Sequence, residues 1–220
     1  MARVNHLGDM HHRTTRDYRE RANSPDRARC MEVAKRFGED YWDGDRKYGY
    51  GGYRYDGRWA PIAERLVEYY GLMTGSRVLD VGCGKGHLLF ELVKLVPGIQ
   101  VWGLDPSRWG VECAPAELNN RIYIGAAQDI IQHFSDMDLV ISLAALHNLK
   151  APDLMTALQG IEKTSRRNVY ITLESWNNEQ ERCNLLDWQL TCESFHDIPT
   201  WETIFTKLCP KADWEFLTFP

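Results

Sequence analysis

The sequence predicts an α/β fold in which a mostly parallel sheet carries helices on both faces. From residue 58 onward, short apolar runs rich in β-branched residues alternate with longer amphipathic segments, which is typical of strands joined by crossover helices. A carboxylate lies at or near the end of each of the first two runs, Asp80 and Asp105, and alternate glycines follow the first run. The 220 residues are enough for one such domain with a short N-terminal extension.

Strands are expected at the apolar runs that are bounded by turn residues. The run at 138–143 is apolar apart from Asp138 and Ser142, which is typical of a central strand buried on both faces. The expected strands cover residues 77–81, 100–104, 121–124, 138–143, 168–173 and 214–219.

Helices are expected where apolar residues recur with a helical period. Pro115 lies inside one such segment, and its missing N–H predicts a break there. The expected helices cover about 58–70, 88–96, 107–118, 152–163, 183–190 and 200–208, and another begins near Arg27. We therefore divide the chain into an N-terminal arm and aromatic segment, residues 1–57, and a sheet domain, residues 58–220.

Composition restricts the class of protein and its location. Apolar residues make up 44% of the chain and charged residues 26%, as in ordinary globular domains. No apolar run approaches the roughly 18 residues of a membrane span, and the start lacks a secretory pattern, so we expect a cytoplasmic protein with no membrane partner. The six cysteines are scattered without repeated spacing, which predicts neither a metal site nor a disulfide framework.

The charge of the chain indicates which binding partners are expected. A net charge of −5 disfavours a nucleic-acid partner. Residues 1–36 are an exception, because they hold nine arginines and lysines that could contact RNA or another anion. We favour the simpler interpretation, a solvated and poorly ordered arm.

The glycine turn is the most informative motif. Residues 78–86, VLDVGCGKG, place Asp80 near a strand end, then glycines at alternate positions, then a helix. Glycines permit a tight turn and the close approach of a ligand to the backbone. The dinucleotide fingerprint has a different spacing, Gly-x-Gly-x-x-Gly, and holds a pyrophosphate. Asp80 would repel an anion, so we expect a cationic group here.

Two further polar positions follow at the ends of the next strands. Asp105 comes 19 residues after Gly86, near the spacing at which an acid meets ribose hydroxyls. Pro106 bends the chain away and should leave Asp105 exposed at the carboxyl edge of the sheet. After the third strand, residues 126–129 supply an amide and an acid, Gln128 and Asp129.

These residues resemble motif I and the later acidic positions of the class I, Rossmann-like, S-adenosylmethionine-dependent methyltransferases, over roughly residues 60–174. The resemblance implies S-adenosylmethionine as cofactor, with its methionine part at the glycine turn, its ribose at Asp105 and its adenine near Asp129. It also implies a seven-stranded-type sheet, one strand more than the apolar runs supply. The implied cofactor-binding residues are Asp80, Gly82, Cys83, Gly84, Gly86, Asp105, Pro106, Gln128, Asp129 and Ser142.

Catalytic candidates should follow the fourth and fifth strands, because ligands of open α/β sheets bind beyond the carboxyl ends of the strands. His147 is the best-placed base, although it could equally pack or cap the next helix. Asn148 could orient the acceptor, and Tyr50 is a third candidate. His196 is a second candidate base.

Residues 41–59, the aromatic segment, combine five tyrosines and two tryptophans with glycines and charges. Rigid aromatic surfaces on a mobile backbone suit a lid over a polar ligand. The alternative is a loop that merely covers the edge of the sheet. The segment also resembles, more loosely, the N-terminal part of small methyltransferases of sugar and surface-polysaccharide pathways.

The resulting prediction is methyl transfer by residues 58–220 to a small polar metabolite, first a hydroxyl or amine of a sugar or sugar nucleotide. The Asn/Asp-Pro-Pro-Tyr/Phe motif of adenine and glutamine methyltransferases is absent after the fourth strand, which favours a small-molecule acceptor. One alternative is cyclisation or aminocarboxypropyl transfer, which releases methylthioadenosine. Another is a non-catalytic cofactor-binding or RNA-associated module. The sequence leaves homodimerisation open.

Overall fold

The computed structural model describes residues 2–13 and 16–220, and a sheet of six parallel strands lies at its centre. The strand order is β3-β2-β1-β4-β5-β6. The strands are β1 Arg77–Val81, β2 Gln100–Asp105, β3 Ile122–Ile124, β4 Met137–Leu143, β5 Ser165–Glu174 and β6 Ala212–Leu217. Every run expected as a strand is therefore confirmed, within a Rossmann-like α/β architecture.

The expected seventh strand is absent from the described residues. The last strand, β6, pairs in parallel with β5, because the helix Ile198–Leu208 returns the chain across the sheet before β6 begins. The N-terminal main chain borders the other side of β6: Val4 N donates to Trp214 O at 2.9 Å, and Trp214 N donates to Ala2 O at 2.9 Å. These bonds pair part of an edge that would otherwise be exposed.

The helices largely follow the expected segments. They are α1 Tyr18–Ala22, α2 Arg27–Ala34, α3 Glu39–Trp42, α4 Ala60–Tyr70, α5 His87–Leu95, α6 Arg108–Glu112, α7 Ala151–Thr164, α8 Glu179–Trp188 and α9 Ile198–Leu208. The break predicted at Pro115 is confirmed, since α6 ends before it and only a 3₁₀ turn follows. The start of α8 precedes the expected one because Asn178 caps the helix, accepting from Glu181 N at 3.0 Å.

The core consists of two layers, one on each face of the sheet. Alternate strand residues face opposite layers, which explains why β4 is mostly apolar and buried along nearly its whole length. One layer packs strand residues against α4 and α5, and includes Val78, Ile141, Leu66 and Leu89. The other packs them against α7 and α9, and includes Leu79, Val140, Leu158 and Trp201.

The N-terminal arm packs against the domain, contrary to the expectation of a solvated arm. Helix α2 begins at Arg27 as predicted, and the Arg27 guanidinium donates to Leu186 O at 2.7 Å and to Asp187 O at 2.6 Å. These carbonyls near the end of α8 are natural acceptors for a cation. Met1, Thr14 and Thr15 of the arm, and the Arg13 side chain, lie outside the description. None of the helices in the described ranges is long and apolar enough to cross a membrane.

Candidate active site

A cavity of about 450 Å³ lies at the carboxyl edge of the sheet. The loops after β1, β4 and β5 border it, and the aromatic segment and parts of residues 7–21 cover it. Because β4 separates β1 from β5, Asp80 and Glu174 enter the cavity from positions about 10 Å apart across the sheet. The cavity therefore has two chemically different ends, one at the glycine turn and one at Glu174.

Asp80 is a buried carboxylate that faces the cavity. Its side chain is 4% exposed, and within the described residues its Oδ1 is buried and accepts no hydrogen bond. Burial raises the pKa of Asp80 to about 8, and the charge of Asp105 adds to this effect. A cation or a hydrogen-bond donor in the cavity would satisfy this oxygen.

The glycine turn has the left-handed backbone that glycine favours. The φ angle is 80° at Gly82 and 55° at Gly84. A Cβ on Gly82 would come 2.2 Å from the Cβ of Ala145, and a Cβ on Gly84 would come 2.6 Å from the ring of Trp42. The side chains of Ala145 and Trp42 therefore account for part of the requirement for glycine that we expected a ligand to impose.

Gly86 is explained by packing alone. Its φ angle is 70°, and a Cβ there would come 2.7 Å from both Leu118 and Ile122. It does not line the cavity, and its expected contact with the cofactor stays a prediction. Cys83 does line the cavity, next to the two glycines.

Asp105 is buried rather than exposed, which corrects the expectation from Pro106. Its Oδ2 accepts from Gly84 N at 2.7 Å and its Oδ1 from Ser107 N at 2.8 Å. Trp42 covers this position, with its Nε1 donating to Ser107 Oγ at 2.7 Å. Burial raises the pKa of Asp105 to about 6, against the opposing effect of the two amides.

The remaining cofactor candidates, like Asp105, lie outside the cavity lining. Gln128 and Asp129 belong to a 3₁₀ turn after β3, and Gln128 Oε1 is buried with no donor among the described residues. That oxygen is suited to an amino group such as that of adenine. Ser142 is fully buried and donates to Val81 O at 2.8 Å, so it links two strands, and its contact with the cofactor stays a prediction. Pro106 is exposed.

His147 and Glu174 form a buried pair at the other end of the cavity. His147 Nε2 lies 3.5 Å from Glu174 Oε2, which also accepts from Gln189 Nε2. Burial lowers the pKa of His147 to about 3 and raises that of Glu174 to about 8, although Arg16 and Gln189 oppose the second shift. Both groups are therefore mostly neutral at neutral pH. His147 Nδ1 is buried without a partner in the described part of the chain.

The other catalytic candidates divide into two groups. Asn148 and Tyr50 line the same cavity as His147. Tyr50 is 44% exposed and stacks on Trp42, with ring centroids 5.2 Å apart. His196 instead packs edge-on against Trp201, 4.8 Å between centroids, and does not line the cavity, so its position does not support the role of second base, which stays a prediction. The catalytic roles of the first group stay predictions.

The aromatic segment is bonded to the glycine turn. Asp43 accepts from Lys85 Nζ and from Trp109 Nε1, both at 2.7 Å. Tyr53 stacks on His87, with ring centroids 4.9 Å apart. The segment therefore covers the cavity, as one of the two interpretations expects. Its movement as a lid stays a prediction.

These residues fit S-adenosylmethionine. Asp80 Oδ1 can accept from its ammonium group and Gln128 Oε1 from its adenine amino group, while Asp105 keeps lone pairs for ribose hydroxyls. The fold and the site thus correspond to the class of Rossmann-like, S-adenosylmethionine-binding domains. A family model described as a methyltransferase domain matches residues 72–213, and the chain belongs to this family.

Relatives agree with this assignment. The chain is 38% identical over 106 residues to a trans-aconitate 2-methyltransferase of Mycobacterium tuberculosis, which covers 48% of this chain and 38% of that protein. It is 26% identical over 133 residues to a tRNA U34 carboxymethyltransferase of Idiomarina loihiensis, covering 56% of this chain and 38% of the relative. The chain thus spans well under half the length of these relatives.

A solved structure shows the same fold. Phosphoethanolamine N-methyltransferase 2 from Haemonchus contortus, in complex with S-adenosyl-L-methionine, has a TM-score of 0.53 and 17% identity. The likeness covers 89% of this chain and 44% of that chain.

Three arginines of the site are missing from the sequence-based candidates. Arg16, Arg21 and Arg46 line the cavity, although the first two belong to the arm expected in solvent. Their common neighbour is Trp188, more than 140 residues further along the chain. No local pattern could indicate that contact. Glu174, by contrast, follows from its position at the end of a predicted strand.

Proposed function

We propose that this protein transfers a methyl group from S-adenosylmethionine to an oxygen or nitrogen of a small polar acceptor held in the cavity. The observation that carries the proposal is the unpartnered, buried Oδ1 of Asp80, which faces the same cavity as the His147–Glu174 pair. At one end of the cavity, Asp80 Oδ1 can accept from a cationic group. At the other end, His147 is able to take up a proton.

When bound, S-adenosylmethionine supplies a sulfonium-linked methyl group, whose transfer breaks the carbon–sulfur bond, leaves the electron pair on sulfur and releases the acceptor's proton. Asp80 would bind the ammonium group, Asp105 the ribose hydroxyls and Gln128 the adenine amino group. The protein's main contribution is alignment, since holding two reactants in line removes most of the entropic barrier.

His147 is placed to take the acceptor's proton. With its Nε2–H directed at Glu174 Oε2, 3.5 Å away, the ring keeps a lone pair on Nδ1. Burial keeps the ring neutral, so this lone pair is available at neutral pH. Glu174 Oε2 accepts from the Nε2–H of His147 in this arrangement and so orients the ring. Asn148 Oδ1, buried and unpartnered in the described chain, can accept from the acceptor.

A sugar or sugar-nucleotide acceptor stays a prediction. The exposed ring of Tyr50 and its neighbour Tyr53 support it, because flat aromatic surfaces suit sugar rings. The relative named as a trans-aconitate 2-methyltransferase also supports a small acceptor, but the acceptor in that name is not a sugar. Cytoplasmic location and homodimerisation also stay predictions.

Mass spectrometry tests the proposal. The purified protein is incubated with S-adenosylmethionine and a panel of small acceptors, and the products are analysed for one added methyl group and for S-adenosylhomocysteine. Methylthioadenosine as the nucleoside product would instead indicate cyclisation or aminocarboxypropyl transfer.

Asp80→Asn is the diagnostic variant, and Glu117→Gln, an exposed carboxylate outside the cavity, is the matched control. We expect Asp80→Asn to lose cofactor binding in calorimetry while Glu117→Gln retains it. Equal binding of the cofactor by Asp80→Asn and the unmodified protein would refute the proposal.

A further inference from the structure

Three arginine side chains converge on one ring in the cavity wall. The guanidinium carbons of Arg16, Arg21 and Arg46 lie 5.5, 4.3 and 5.3 Å from the centre of a Trp188 ring. Trp188 ends α8, and the next residue, Gln189, donates to Glu174. The positive charges are therefore gathered at the Glu174 end of the cavity, away from the glycine turn.

The described residues provide little negative charge to balance this cluster. The groups that act on Arg21 are Arg46, Arg27, Cys30 and Tyr41, none of which is a carboxylate. Burial, together with the charges of Arg46 and Arg27, lowers the pKa of Arg21 to about 10. Glu174 acts on Arg16, but burial raises the pKa of that carboxyl to about 8, so it is mostly uncharged at neutral pH.

Arg21 also has a donor that lacks a partner. Its Nε is buried and makes no hydrogen bond to residues 2–13 or 16–220. Arg46 lines the cavity and is exposed; its Nη1 donates to Gly49 O at 2.5 Å, and its other donors have no partner in the described part of the chain. Like charges held together with unused donors are unfavourable unless an anion binds between them.

We infer that this cluster binds an oxyanion of the methyl acceptor, a carboxylate or a phosphate. The inference rests on the proposed function and names its substrate class. Guanidinium groups match the paired oxygens of both anions, and the Trp188 ring keeps the planar groups in position. Arg16 and Arg21 are both half-buried. Their contact with one aromatic ring offsets part of the repulsion between their charges.

The location of the cluster determines how such an acceptor lies. Gln189 connects Trp188 to Glu174, and Glu174 contacts His147. An acceptor with its oxyanion at Trp188 therefore extends past His147 toward the glycine turn. Its reactive group then lies where a proton can be removed. A neutral sugar would leave the charges of Arg21 and Arg46 unbalanced, whereas a sugar acid or sugar phosphate would not.

Titration of simple anions tests the inference. Succinate, inorganic phosphate and glucose are added to the full chain saturated with S-adenosylhomocysteine, at constant ionic strength, and binding is followed by calorimetry. Arg21→Gln and Arg46→Gln are compared with Arg19→Gln, a control on the same helix as Arg21 whose side chain is exposed and outside the cavity.

We expect succinate or phosphate to bind the unmodified protein and glucose not to bind. Loss of one charge-assisted hydrogen bond should weaken anion binding about tenfold to a hundredfold in Arg21→Gln and Arg46→Gln, with Arg19→Gln unchanged. The anion that binds more tightly identifies the acceptor's oxyanion as a carboxylate or as a phosphate. Anion affinities that are equal in all four proteins, or no anion binding above that of glucose, would overturn the inference.

Affinity for S-adenosylhomocysteine separates this result from the proposed function. We expect that affinity to be unchanged in both arginine variants, which also shows that they fold. A protein that binds the cofactor product but no anion refutes the arginine site alone. A protein that binds anions but not the cofactor product refutes the proposed methyl transfer.

Discussion

The indole of Trp42 lies against Gly84, so close that a Cβ on the glycine would come 2.6 Å from the ring. Its Nε1 donates to Ser107 Oγ at 2.7 Å, and the amide of Ser107 donates to Asp105. The aromatic segment therefore covers the carboxylate to which we assign the ribose. A nucleoside that reaches Asp105 has to displace this ring, which makes Trp42 the residue that reports on any opening of the segment.

Trp42→Phe tests that displacement. The smaller ring cannot donate to Ser107, so we expect S-adenosylhomocysteine to associate faster than with the unmodified protein. In stopped-flow measurements, most of the tryptophan fluorescence change on binding should also disappear. Trp176→Phe is the control, because Trp176 does not line the cavity. Unchanged rates and an unchanged signal in Trp42→Phe would show that the ring stays in place when ligand binds.

Asp80→Asn should change stability in a pH-dependent way. Because burial raises the pKa of Asp80 to about 8, the carboxyl favours folding fully below its unfolded pKa, and this contribution is lost as pH rises through 8. We expect the ligand-free variant to gain about 1–3 kcal/mol in free energy of unfolding at pH 8.5, and little at pH 4. Urea unfolding at both values measures this. An equal effect at the two values would contradict the raised pKa.

Cofactor affinity should increase with pH over the same interval. An ammonium group binds the ionised form of Asp80, whose pKa in the free protein is about 8, so below that value binding must release a proton. We expect affinity for S-adenosylhomocysteine to rise from pH 6 to about 8 and to fall at higher pH, where the ligand's amino group loses its charge. Calorimetry in buffers of different ionisation enthalpy measures the number of protons released when the ligand binds. A pH-independent affinity would argue against the Asp80–ammonium contact.

Glu174→Gln and His147→Gln test the proton-accepting pair. We expect each to lower turnover about 10²- to 10⁴-fold, because a positioned base contributes that much, and to leave S-adenosylhomocysteine affinity unchanged. Since the two side chains act as a unit, the double variant should be little slower than either single one. Losses that multiply in the double variant would show that the two residues act separately.

Local sequence patterns predicted the central elements well. The apolar runs located β1 and β4 closely, and Pro115 located the end of α6, because burial on both faces and a missing N–H act within a few residues. The strand ends also placed Asp80 and His147 at one edge of the sheet. Parallel strands bring their carboxyl ends together, so this part of the site follows from topology.

Contacts between segments that are distant along the chain could not be predicted from local sequence patterns. The burial of Asp105 depends on Trp42, 63 residues earlier in the chain, and the convergence of Arg21 on Trp188 depends on how the arm packs against α8. The seventh strand was implied by resemblance and not by any apolar run, and the N-terminal main chain instead borders β6.

The sequence by itself determined the α/β class, the order of the strands along the chain and the glycine turn with its carboxylate, since these depend on periodicity and on the backbone conformation of single residues. Only the tertiary structure decided which charges share the cavity, which carboxylates are buried and what covers them. The physical reason is that desolvation and charge–charge interactions depend on distances in space, and packing sets those distances independently of separation along the chain.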